Sequence, residues 1–301
     1  MRNPLDERRT VKKDIYQTVT DSIIASLEQG VKPWTKPWSS GNTSGRIILP
    51  RRSNGEAYRG INILMLWGAT IDRGFRSPTW LTYQQATEQG GQVRKGETGS
   101  KVVYAGSITR TDESAAPGAD SEQRIPFLKS YTVFNTEQID GLGDRYAIPE
   151  AEPLPTFERI ERADQFTAAT GAVIRHGGNR ACYSPSLDVV QMPAPEAFRD
   201  PPAYYATLIH ELTHWTGHTT RLAREYGKRF ADKAYAFEEL IAELGAAFLS
   251  AALDLTPEPR EDHAAYLSHW LDVLKADKRA IFTAASQAQR AADFLFQQEA
   301  A

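Results

Sequence analysis

The sequence predicts an α+β protein of two domains: a small α+β unit with an antiparallel sheet over residues 1–150, and a mainly helical unit over 151–301. Three observations carry this. Apolar residues recur at helical spacing through most of the second half. Period-two alternation marks VRKGETGSKVVYAGSITR and IPFLKSYTVFN in the first half. Between them, GLGDRYAIPEAEPLPTFE (141–158) is dense in Pro and Gly and reads as a linker, which puts the boundary near 150. At 301 residues the chain is long enough for two units, each with its own core.

Taken in order, residues 6–29 read as a helix, because Ile15, Val19, Ile23 and Leu27 recur every four residues and Gly30 stops the pattern. VKPWTKPWSSGNTSG follows as a loop displaying two tryptophans. RGINILMLWGATIDRG reads as a short buried helix, and SPTWLTYQQATEQGG as another with a glycine stop. VRKGETGSKVVYAGSITR reads as a strand pair around a turn at Gly96–Gly99. TDESAAPGADSEQ (111–123) reads as an insertion in a hairpin, and the sheet resumes at IPFLKSYTVFN. Beyond the linker, FERIERADQFTAATG reads as a helix and ACYSPSLDVVQMP as two short extended runs around a Ser-Pro-Ser turn. After Pro201-Pro202, Tyr205, Leu208, Leu212 and Trp215 line one side of a helix. Residues 235–253, 261–275 and 278–297 read as further amphipathic helices.

Composition narrows the class. No run of about 18 apolar residues is present, so a membrane span is not expected. The N-terminus, MRNPLDERRTVKKDIYQ, is charged throughout and has no apolar signal-peptide core, which predicts a cytoplasmic protein. The single cysteine, Cys182, excludes an internal disulfide and any cysteine-based cofactor. Charge is uneven. Residues 1–150 hold 20 Lys+Arg against 17 Asp+Glu (+3), the rest 15 against 21 (−6), and residues 30–104 alone 11 against 4 (+7). A basic half joined to an acidic half suggests two tasks on one chain.

The acidic half contains HELTHWTGH (210–218). Positions four apart share one helix face, so His210 and His214 can direct two imidazoles at one cation. Glu211 lies beside that face but is turned aside, where it can take a proton from water. Zinc held this way brings the pKa of its water down to about 7. A third ligand is required. His218 would stand about 12 Å from His210 if the helix continued, too far to share an ion, and is expected only to line the pocket. The better candidate is Glu239 in YAFEELIAELGAAFL, where Glu239 and Glu243 lie off the apolar stripe of Phe237, Leu240, Ile241, Leu244 and Phe248. Glu243 is either the partner that orients a histidine or the ligand itself. Tyr235, one turn before Glu239, is placed to line the same pocket. Two histidines and a carboxylate suit Zn2+, and also Mn2+ or another divalent ion.

The basic half interleaves aromatic rings with cations. Trp34, Trp38, Tyr58, Trp67, Trp80, Tyr83 and Tyr104 are interleaved with Lys32, Lys36, Arg51, Arg52, Arg59, Arg94, Lys95 and Lys101. Rings that stack on bases beside cations that follow phosphates are the chemistry of single-stranded nucleic-acid binding. Trp34 and Trp38, on a proline-stiffened loop, are expected to be the exposed stacking residues, whereas Trp67, in an apolar run, is expected in the core.

Residues 30–135 (KPW, YRGINILMLW, PTWLTYQQATEQGGQVRKGETGSKVVY, YTVFNTEQ) resemble the N-terminal single-stranded-DNA-binding domain of the ArdC antirestriction family, a domain related to one in TraC-type plasmid primases. Residues 181–249 (ACYSPSLDVVQMP, HELTHWTGHTTRLAR, YAFEELIAELGAAFL) resemble that family's zincin-like, gluzincin-type metallopeptidase domain. The resemblance implies a protein of a plasmid or mobile element that binds single-stranded and also double-stranded DNA, enters the recipient cell with it, and protects it from restriction. It implies a metal held by His210, His214 and a glutamate of the following helix, in agreement with Glu239. Two other readings stand beside it: a working peptidase acting on a host protein, and a DNA-covering protein whose metal only staples the fold.

Overall fold

The computed structural model describes residues 14–34, 48–111, 122–146, 156–226, 233–255 and 263–299. Helix α1 (Ile15–Glu28) begins where the side chain of Asp14 accepts the Tyr16 amide and ends at Gly30, whose φ of 75° suits glycine. It buries Val19, Ile23 and Leu27, as its four-residue spacing requires. A two-residue strand, β1 (Arg51–Arg52), precedes helix α2 (Ile61–Arg73), which runs between the positive-φ glycines Gly60 and Gly74. Trp67 sits in the core as expected, its indole donating to the Ile48 carbonyl.

SPTWLTYQQATEQGG departs from the single helix expected of it. Thr79–Thr82 form strand β2, and helix α3 (Tyr83–Glu88) starts only after it. Trp80 and Leu81 are both buried because β2 lies inside a sheet with cover on both faces, so no alternation betrayed the strand. Thr82 and Gln85 form a reciprocal capping box that fixes the helix start. The expected strand pair around Gly96–Gly99 also differs. Strand β3 (Gln92–Val93) pairs not with β4 (Ser100–Thr111) but with β6 (Ile139–Asp140), which follows β5 (Glu122–Asn135). Strands β4 and β5 make a long antiparallel ribbon, Ser100 opposite Val133 through Thr111 opposite Glu122. Residues 112–121, most of the predicted insertion, lie outside the described residues. The main sheet has the order β1-β2-β5-β4, antiparallel except for the parallel pair β1–β2.

The proposed boundary near 150 falls among residues 147–155, also outside the described residues. The second half opens with helix α4 (Thr156–Ala169), as expected, and strand β7 (Val173–His176), a segment to which the sequence reading assigned no element. Strands β8 (Cys182–Ser184) and β9 (Val189–Met192) are the two extended runs around the Ser-Pro-Ser turn, and the small sheet has the order β7-β9-β8 with β8 at its edge. Helices α5 (Pro201–Trp215), α6 (Lys233–Leu253), α7 (His263–Ala276) and α8 (Ala280–Glu299) complete the fold.

The two halves share one core. One apolar cluster joins Trp34, Ile63, Trp67 and Trp80 to Leu240, Leu244, Phe248, Trp270 and Ile281. A second packs Phe166, Val190, Leu208, Leu212, Leu249 and Leu295 around the other side of α6. Helix α6 is therefore the common wall of both, and the alanines of α8, Ala284, Ala285, Ala288 and Ala292, let it approach closely.

Candidate metal centre

Helix α5 starts with Asp200 accepting the Ala203 amide and prolines in its first turn, so its register is set from its N-terminus. Helix α6 crosses it where Gly245 faces Thr213. A Cβ at Gly245 would stand 2.5 Å from the Thr213 methyl carbon, so the close crossing requires glycine. Gly245→Ala is therefore expected to separate the helices and destabilise the protein by about 1–3 kcal/mol. Thermal unfolding reads this, and an unchanged melting temperature would show that the crossing is not tight.

The crossing brings His210, His214 and Glu239 together. His210 Nε2 is 3.5 Å from Glu239 Oε2 and His214 Nε2 is 3.4 Å from Glu239 Oε1. The two imidazole planes are inclined by 79°. Ligand atoms around one tetrahedral ion at zinc distances stand roughly 3.4 Å apart, and one ligand atom from each of these three side chains lies within 4.8 Å of the others, so the three can converge on a divalent cation. All three are buried, as is Glu211. Burial disfavours a charged His214, but Glu238 and Glu239 outweigh it and push its pKa up to about 10. The carboxylates thus favour positive charge at this point.

Glu238 is the residue that sequence reasoning missed. Its Oε1 is 3.1 Å from His214 Nδ1, and it accepts Arg224 Nη2 at 2.8 Å and Nε at 3.0 Å. Arg224 also donates to the Thr216 hydroxyl and the Thr213 carbonyl, so the His214–Glu238 pair is tied to the end of α5. The carboxylate that meets His214 Nδ1 is therefore that of Glu238, because α6 presents residue 238 to that ring. Glu243 lies on the His210 side, 3.9 Å from Nδ1, and accepts the Trp34 indole N–H at 3.4 Å.

A cavity of about 380 Å³ opens over these side chains. Tyr235 forms part of its wall, its hydroxyl 3.3 Å from that of Tyr266 on α7. Burial, then Tyr266 and Glu239, push the Tyr235 phenol well above its ordinary value, so it remains a donor. Tyr226, also on the wall, donates to the His214 carbonyl. Strand β8 forms the opposite lip with Cys182, whose thiol is raised by burial and by the charge of Glu211. His218 does not line this cavity. The helix ends at Trp215, the chain turns, and His218 Nδ1 meets the Thr220 hydroxyl at 2.8 Å. The glycine of HxxG has another use: a Cβ at Gly217 would collide with Tyr226 and Arg224, which close beneath the turn. Arg221 holds the β8–β9 turn in place. It donates to Asp188 at 3.0 Å and lies 3.8 Å over the Trp215 ring, while Tyr183 donates to Asp188 at 2.8 Å.

In the basic half, three expected stacking residues are buried. Trp34 is 1% exposed, because the chain after Gly30 folds back and sets its indole edge-on to Trp270 at 6.0 Å. Trp80 is 1% exposed at the centre of the sheet, edge-on to Phe75. Tyr58 is buried beneath Arg52. Lys36 and Trp38 lie outside the described residues. Tyr83, Arg51, Arg52, Arg59, Arg94, Lys95 and Lys101 are exposed. Of these, Arg94 pairs with Glu97 and Asp140, Arg59 with Asp293, and Arg52 with Glu56. No described helix is long and apolar enough to cross a membrane.

Comparison with known proteins agrees with both halves. Residues 13–134 match the N-terminal domain of anti-restriction factor ArdC, and residues 161–287 match a zincin-like metallopeptidase domain. The chain is 45% identical to the uncharacterized protein y4eC of Sinorhizobium fredii, over 95% of this chain and 92% of that one. It is 38% identical to a DNA primase TraC of Escherichia coli, of which it spans 27%. The crystal structure of the antirestriction protein ArdC from plasmid R388 superposes with a TM-score of 0.80 in its metal-free form, at 50% identity over 95% of this chain and 98% of that one. The Mn(II)-bound form of that protein superposes with a TM-score of 0.79 at 49% identity. Matched in sequence along nearly its whole length and in fold across both halves, the chain belongs to the ArdC antirestriction family.

Proposed function

We propose that this chain binds single-stranded DNA of a mobile element as it enters a new cell, shields it from restriction, and carries a divalent-metal site built for hydrolysis. The supporting observation in the basic half is that, among the described residues, Arg51, Arg52, Lys95 and Lys101 are exposed while Trp34, Trp67 and Trp80 are buried. Phosphate contact then supplies most of the affinity. The DNA-primase name of the TraC relatives and the antirestriction name of the R388 protein fit the same reading. The whole chain should bind an oligothymidylate with log K falling linearly in log salt, at a slope of about −0.7 per phosphate neutralised. Absence of salt-dependent binding at low ionic strength would remove the DNA reading. A duplex of the same length serves as comparison.

A second reading, peptide-bond hydrolysis, is favoured by Glu211 on the wall of a cavity that β8, an edge strand of its sheet, also lines. An extended segment can add to that edge through backbone hydrogen bonds and lie across the cavity. A divalent ion held by His210, His214 and Glu239 supplies Lewis acidity. Glu211 then accepts the proton of the attacking water, and Tyr235 and Tyr266 offer hydroxyl donors to developing negative charge on oxygen. Zn2+ suits the ligand set, and the Mn(II)-bound relative makes manganese the second ion to test. Such activity would act on a protein met in the recipient.

A further inference from the structure

We propose that the outer face of the β4–β5 ribbon is the platform on which single-stranded DNA stacks its bases, with Tyr131, Tyr104 and Phe127 as successive rungs. The proposal rests on the single-stranded-DNA reading and locates it. Directly opposed residues of an antiparallel pair share a face. In this register Val102 faces Tyr131, Tyr104 faces Lys129, Gly106 faces Phe127, and Ile108 faces Ile125, so these four pairs lie on one face in consecutive same-side steps. Each of the first three pairs contributes one ring.

That face is open. Tyr104 is 56% exposed, Tyr131 46%, Ile108 57% and Ile125 41%, a concentration of exposed apolar side chains that a folded surface ordinarily avoids. Gly106 shapes it, since a Cβ there would stand 2.5 Å from the Phe127 ring, so Phe127 extends across the position that a side chain would fill. Tyr104 and Phe127 have centroids 6.0 Å apart, and Lys129 Nζ lies 5.0 Å over the Phe127 ring. Apolar rings with a lysine among them suit bases and their phosphates better than a wholly apolar partner surface.

The spacing selects single strands. Consecutive same-face pairs are about 6.6–6.8 Å apart along the ribbon, two residue rises, and the rings of Tyr104 and Phe127, on opposite strands, stand 6.0 Å apart. Stacked bases in a duplex are about 3.4 Å apart along each strand. Rings at twice that interval match bases already pulled apart, and a duplex cannot present its bases to them without unstacking.

The test uses the full chain, a fluorescent oligothymidylate, and the double variant Tyr104→Ser/Tyr131→Ser, whose positions are exposed enough to keep the fold. The dissociation constant is expected to rise about 30-fold or more, with the salt slope unchanged because no charge is lost. Lys129→Ala should weaken binding less and reduce the slope by about 0.7. Iodouracil in the oligonucleotide should photocrosslink to residues 104 and 131 of the unaltered chain. If the unaltered chain binds and the double variant binds equally well without crosslinks at these rungs, the ribbon proposal fails while the single-strand reading survives. If the unaltered chain binds no oligonucleotide, that reading fails first. Equal affinity for a duplex overturns the spacing argument, and a change in oligomeric state with unaltered DNA affinity assigns the face to a second copy of the chain instead.

Discussion

Replacing Glu211 with glutamine is expected to lower peptide-bond hydrolysis by about 10²–10⁴-fold while metal content and oligonucleotide affinity stay as they are. Glutamine keeps the size of the side chain, and residue 211 lies between the two ligand histidines on α5 without belonging to the ligand set. What is lost is the capacity to accept a proton. Burial at 3% exposure means that no bulk solvent replaces the missing carboxylate. The measurement is a comparison of newly formed protein N-termini in recipient-cell extract incubated with the metal-loaded unaltered and variant chains. Elemental analysis and oligonucleotide binding run alongside. Identical fragment patterns from both would end the hydrolytic reading and leave the metal a structural role. Retention of protection against restriction by the variant would place the biological effect in DNA binding instead.

How much of this was legible in the sequence depended on whether the deciding contacts were local. Helices α1, α2, α5 and α6 could be read because an amphipathic period and its glycine or proline punctuation are properties of the segment itself. His210 and His214 were legible for the same reason, and Glu239 followed once the apolar stripe of α6 fixed its other faces. Trp34 was not. Its burial depends on packing against Trp270 and meeting Glu243, 209 residues away, and a proline-rich loop says nothing of where it docks. The partner of β3 was similarly out of reach, since alternation marks a strand but not its neighbour. The choice between Glu238 and Glu243 at His214 turns on how α6 rolls against α5, which Gly245 and Thr213 decide across the crossing. The ribbon face escaped because the charge count drew attention to residues 30–104, whereas Phe127, Lys129 and Tyr131 become a surface only when β5 pairs with β4. The T-x-x-Q capping signal at Thr82 was present and local, and would have placed the start of α3 correctly.

Arg224→Ala is expected to destabilise the protein by about 3–5 kcal/mol and to weaken divalent-ion binding about 10–100-fold, although Arg224 is no ligand. The stability loss comes from Glu238. Both side chains are 4% exposed, and burial opposes the charge on Glu238, yet His214 and Arg224 hold its carboxyl below the usual carboxylate range. Removing the guanidinium leaves that charge with His214 alone, and the Thr213 carbonyl and Thr216 hydroxyl each lose one donor as well. The affinity loss follows because the Glu238 carboxylate that meets His214 Nδ1 is no longer braced, so the ring is free to turn from the orientation that directs Nε2 at the ion. Arg224→Lys separates the two effects. It restores a charge but not the fork that bonds Glu238 through two nitrogens, so much of the stability should return and less of the metal affinity. Thermal unfolding with and without Zn2+ or Mn2+, together with calorimetric titration of each ion, measures both quantities. If Arg224→Ala loses stability with no change in ion affinity, then Glu238 holds α5 to α6 without orienting His214. If Arg224→Lys recovers affinity in full, charge alone suffices and the bidentate geometry is immaterial to the metal.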